Sequence, residues 1–70
     1  MALSRAEKIA ATKLDNRISH LYAVRCSGIQ IPIMKTTEVY RVATLAAATG
    51  CDDQALGDAI AAYVETIRVN

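Results

Sequence analysis

Residues 36–68 read TTEVYRVATLAAATGCDDQALGDAIAAYVETIR, and this stretch decides the fold. Leu56, Ile60, Tyr63 and Ile67 recur at steps of four, three and four, with Ala59 and Val64 widening the stripe, which places them on one face of an α-helix. Asp52 and Asp53 mark its start, because a carboxylate there accepts first-turn N–H groups and suits the positive end of the helix dipole. Upstream, Val39, Val42, Ala46 and Thr49 mark one face of a preceding helix, with Leu45 at its edge and Thr36 or Thr37 as its N-cap. Gly50 stops that helix, since glycine takes positive φ without a Cβ clash. The spacing therefore predicts helices over about 37–49 and 53–68, folded on each other as a hairpin by a short link.

Working back from the hairpin, Ile29, Ile31 and Ile33 alternate with Gln30, Pro32 and Met34. Period two predicts an extended segment, and Pro32 restricts it to a connector or an edge strand over 28–35. Before it, Ser4-Arg5-Ala6-Glu7 matches a capping box. A helix over about 4–27 follows, with Ala10, Leu14, Ile18 and Leu21 as its apolar stripe, and Gly28 ends it. The fold class is mainly α: one domain over 1–70, three helices, a C-terminal hairpin and a short extended or edge-strand segment at 29–34.

The chain has 70 residues, and 53% of them are hydrophobic. A core of this size supplies about 3–5 kcal/mol. The apolar faces exceed what one copy of this length is expected to bury, which predicts a homodimer. Leu14, Ile18, Leu21, Leu56, Ile60, Tyr63 and Ile67 are the candidate core and dimer residues. Gly57 and Ala61 make a smooth strip on the last helix, read either as tolerated variation or as a close crossing. Net charge runs from +3 over residues 1–25 to −3 over residues 51–70. The two ends attract each other or present opposite signs to a partner.

Chemistry-bearing patterns are scarce. Cys26 and Cys51 form no disulfide scaffold, and a single His without C-x-x-C gives no zinc site, so no metal and no cofactor are expected. Cys26 and His20 lie six apart on one helix and point in different directions, so no nucleophile–base pair forms and no enzyme is expected. No stretch is long and apolar enough to span a bilayer, and no apolar signal segment opens the chain, so the reading is cytoplasmic and not membrane-bound. Tyr40, by helical projection, lies opposite the Val39/Val42/Ala46 stripe with Arg41 beside it. Tyr and Arg on an outward face are the composition of an interface hot spot. Tyr22, Arg25 and Gln30 extend that patch.

The order short strand, helix, Gly turn, helix over residues 29–70 resembles the ribbon-helix-helix family of dimeric DNA-binding repressors. That resemblance implies paired strands in the major groove, with Gln30 reading bases and Lys35 on phosphate. Pro32 and Met34 fill the other outward positions. Asp52 and Asp53 stand where that family anchors phosphate, so DNA binding ranks second. The compact, Ala-rich chain as a whole also resembles small early proteins of temperate phages. These bind and switch off host regulators or machines, quorum-sensing activators and pilus motors among them. That resemblance implies a protein that inhibits a host protein, such as a transcription regulator, by occupying its surface. No site residue transfers from it.

Overall fold

A computed structural model describes residues 3–70. They form three helices, α1 (Arg5–Arg25), α2 (Thr36–Ala47) and α3 (Asp53–Ile67), with a 3₁₀ turn (Ile33–Lys35) running directly into α2. Local chemistry sets the helix ends. Ser4 and Glu7 complete the capping box: the Glu7 N–H donates to Ser4 Oγ at 3.1 Å, and the Ser4 N–H donates to Glu7 Oε1 at 3.4 Å. Asp52 Oδ1 accepts from the Ala55 N–H at 2.9 Å and caps α3. Gly28 (φ 79) and Gly50 (φ 80) turn the chain out of α1 and α2.

α3 is the centre of the molecule. It packs against both α1 and α2, which meet each other less extensively. Ile18, Leu56, Ile60, Val64 and Ala43 are fully buried, and Val39 and Cys26 nearly so. Leu14, Leu21, Tyr63 and Ile67 lie half-buried against that cluster. Each fully buried Ile, Leu or Val side chain stabilises the fold by about 1.5–3 kcal/mol. The seven expected core or dimer residues thus pack within one copy. What one copy leaves exposed is Leu3, Ile9, Val24, Ile33, Met34, Leu45 and Val69. All of residues 5–13 are exposed, so the first half of α1 stands clear of the body.

Four expectations need correction. α1 ends at Arg25 and α2 at Ala47, each two residues short of the expected bound. Among the described residues no strand forms in 29–34. The Gln30 carbonyl accepts from the Val69 N–H at 2.9 Å, but the Gln30 N–H donates to the Asn70 side-chain Oδ1 at 3.0 Å. A side chain thus stands where a ladder needs backbone. Beyond Pro32 (φ −59, ψ 135) the chain closes into the 3₁₀ turn, in which Lys35 N–H donates to Pro32 O at 2.9 Å. That turn also replaces the expected Thr cap of α2, because Thr36 N–H already donates to Ile33 O. Finally, the inner face of α2 is centred on Val39, Ala43 and Ala47, while Thr49 and Leu45 are exposed.

Candidate protein-binding surface

The rotation of α2 carries Tyr40 inward. Its ring packs against the core, and its hydroxyl hydrogen-bonds Ser19 Oγ of α1. Tyr40 is therefore not on the outward face, because Ala43 and Ala47 rather than Val42 and Thr49 point at α3. Tyr22 reaches the same place from α1. Together with Ile31, Thr36 and Val39 the two tyrosines line a concavity of about 230 Å³. Its walls are mostly apolar, with the phenols and the Thr36 hydroxyl as polar groups. Small-molecule sites run to about 300–1,000 Å³. This one is smaller and suits a single aliphatic or thioether side chain. Between the lining residues Ile31 and Thr36, the 3₁₀ turn exposes Ile33 at 92% and Met34 at 82%. Ile33, between two lining residues in the chain, is the exposed apolar side chain beside the hollow.

The other three expected contact residues go elsewhere. Arg25 reaches across to α3, where its Nη2 lies 2.6 Å from Asp58 Oδ1. Its side chain lies over Gly57: a Cβ built there would meet Arg25 Nη1 at 2.8 Å and Cγ at 3.3 Å. Gly57 is buried for this reason, as the bed of an arginine stem. Gln30 is tied by its backbone to the C-terminal tail, and Asn70 Nδ2 donates to Gly28 O at 3.0 Å. Arg41 is exposed on α2, with its Nη1 3.6 Å from Glu38 Oε1. Part of the charge asymmetry along the chain is used internally. Arg17 pairs with Asp53 and donates to Cys51 O at 3.0 Å, so α1 is fastened to the start of α3 as well as to its middle.

Sequence reasoning placed Val39 in a stripe and Ile31 in the alternating segment, but joined neither to the tyrosines. Ser19 carried no signal, since its role depends on where α2 crosses α1.

Among the described residues, no cluster of three or more His, Cys, Asp or Glu side chains is placed to hold a metal ion. Among the described residues, no helix is long and apolar enough to cross a membrane. Burial pushes the Cys26 thiol up; Glu65 adds to this and Arg25 opposes it. The thiolate is the nucleophile, so a buried thiol with a raised pKa is inert. Cys51, half-buried with its Sγ 3.4 Å from Ala46 O, is the accessible one. Iodoacetamide at mildly alkaline pH should therefore modify Cys51 first and Cys26 only as fast as the domain opens. Mass spectrometry of a time course checks the order; simultaneous labelling would show that the end of α1 is not packed. No protein family, curated protein or solved structure matches the chain.

Proposed function

We propose that the chain is a non-enzymatic binding protein that docks on another protein and inhibits or modulates it by occupying its surface. A host transcription regulator is the target class that its resemblance to small phage proteins suggests. The observation that carries the reading is the tyrosine-lined hollow with an exposed isoleucine beside it. A soluble domain gains nothing from an Ile at 92% exposure, whereas a partner that inserts one apolar side chain buries both the hollow and this isoleucine. Tyr is favoured at such places because it gives a large contact area for two rotatable bonds and keeps a polar tip. In this reading Tyr22 and Tyr40 make the contact, while Arg25 and Gln30 hold the scaffold behind them.

Two surface substitutions test this. Thr36→Arg fills the hollow and Ile33→Asp removes the apolar side chain beside it. Neither touches the buried cluster, so helix content should stay unchanged. Affinity capture from the source cell with the wild-type chain identifies the partner by mass spectrometry. Binding of that partner should then fall by about tenfold or more with either variant, since each removes an anchor worth over about 1 kcal/mol. Full affinity in both variants would overturn the assignment of the hollow.

A further inference from the structure

The outward face of α2 carries Glu38, Arg41 and Leu45, and the 3₁₀ turn that runs into it adds Met34, so the four are spaced four, three and four apart. Met34 is 82% and Leu45 66% exposed, and the Arg41 and Glu38 side chains are 71% and 41% exposed. Four-three spacing is the seam of a helix that pairs with another helix. Here the seam has a further property: it reads the same backwards. Reversed, Met34 falls opposite Leu45 and Glu38 falls opposite Arg41. We infer that this face is a two-fold interface on which a second copy of the chain packs its own α2 antiparallel.

Charge decides the orientation. A parallel pair would set Glu38 against Glu38 and Arg41 against Arg41, and like charges facing each other oppose association. The antiparallel pair makes two Glu38–Arg41 contacts at its centre and two Met34–Leu45 contacts at its ends. Within one copy, Glu38 and Arg41 are 3.6 Å apart. That is too far for a strong hydrogen bond, so both remain available to the second copy. Thr37, Thr44 and Ala48 flank the seam with small side chains and permit close approach.

A two-fold interface is self-complementary by construction, as this face is. The paired surface is short, because the 12 residues of α2 span only about 18 Å. It falls below the roughly 800 Å² per partner of a standard stable interface, so the dimer should dissociate within the micromolar range or above. The hollow lies on the inner side of α2, around Val39 and Tyr40. Its lining residues and Ile33 are outside the seam, and the inference stands whether or not the hollow binds a partner.

Sedimentation velocity of the intact chain over a wide concentration series provides the test, with Glu38→Arg and Arg41→Glu as variants. Arg41 is exposed and Glu38 half-exposed, and far-UV circular dichroism checks that each variant is folded. The wild type should shift from one to two copies as concentration rises. Either variant alone sets like charges at the centre and should weaken association by roughly tenfold or more. An equimolar mixture of the two variants should regain the wild-type behaviour, because the introduced arginine then faces the introduced glutamate while native Arg41 faces native Glu38. A wild type that stays single at every concentration would overturn the inference. So would variants that dimerise alone like the wild type, or a mixture that stays single.

Discussion

Leu56→Ala is expected to leave the chain largely unfolded at 25 °C. Leu56 is fully buried on the first turn of α3, in one cluster with Ile18, Val39, Ala43 and Ile60. Removing three carbons from such a site costs about 2–5 kcal/mol, the spread reflecting how far the surroundings collapse into the void. A domain of this length has about 3–5 kcal/mol in all, so the loss is comparable to the whole. α3 is also the element that both other helices pack on, which leaves no sub-structure to survive. Urea titration followed by far-UV circular dichroism checks this. The variant should show no native baseline, whereas Leu56→Met, which preserves volume, should lose under about 1.5 kcal/mol. An unchanged midpoint for Leu56→Ala would mean that the helices do not meet at this residue.

Gly57→Val is the second large effect, and its size depends on a residue 32 positions away. Any Cβ at Gly57 enters the space of the Arg25 stem, 3.3 Å from Cγ as well as 2.8 Å from Nη1. The guanidinium end swings aside easily; the stem does not, because α1 fixes its root. Valine's two further methyl groups lift the side chain off α3 and break its contact with Asp58. Overpacking of this kind costs about 1–3 kcal/mol. Gly57→Ala should come out nearer neutral, since alanine returns about 1 kcal/mol of helix propensity. The discriminating measurement is a double-mutant cycle in urea. With Arg25→Ala the bed is empty, so Gly57→Val on that background should cost clearly less than on the wild type. Equal costs on both backgrounds would show that Arg25 is not what Gly57 accommodates.

How far the chain could be read in advance follows from the range of each interaction. The capping box at Ser4, the cap at Asp52, the Gly50 turn and the stripe of α3 depend on residues within one or two turns, and all are visible in the sequence. The face of α2 depends on what it meets. With alanines at positions 43, 46, 47 and 48, hydrophobic strength pointed to Val42, but close packing on α3 selected the smaller Ala43. That choice moved Tyr40 from the outside to the hollow. The alternation at Ile29, Ile31 and Ile33, with Pro32, left a connector or an edge strand; the edge strand does not form, because the Asn70 side chain takes the Gln30 N–H and the chain closes into the 3₁₀ turn after Pro32. Arg25, as an extension of the Tyr40 patch, has one task that the sequence shows. Its second task, covering Gly57, needs the tertiary crossing before it can be seen. The charge asymmetry was legible, and its use in the Arg17–Asp53 and Arg25–Asp58 pairs fits attraction between the chain ends.

The uncovered first half of α1 has a practical meaning for anything built onto this scaffold. Nine residues of helix carry the start of the chain about 13 Å away from the packed cluster. A peptide or fluorophore grafted there would ride on a helical boom that takes no part in the buried cluster. Sequence drift along that boom is also cheap for the fold: a substitution at Ala6 or Ile9 alters reach and charge, while the seven buried side chains never register it.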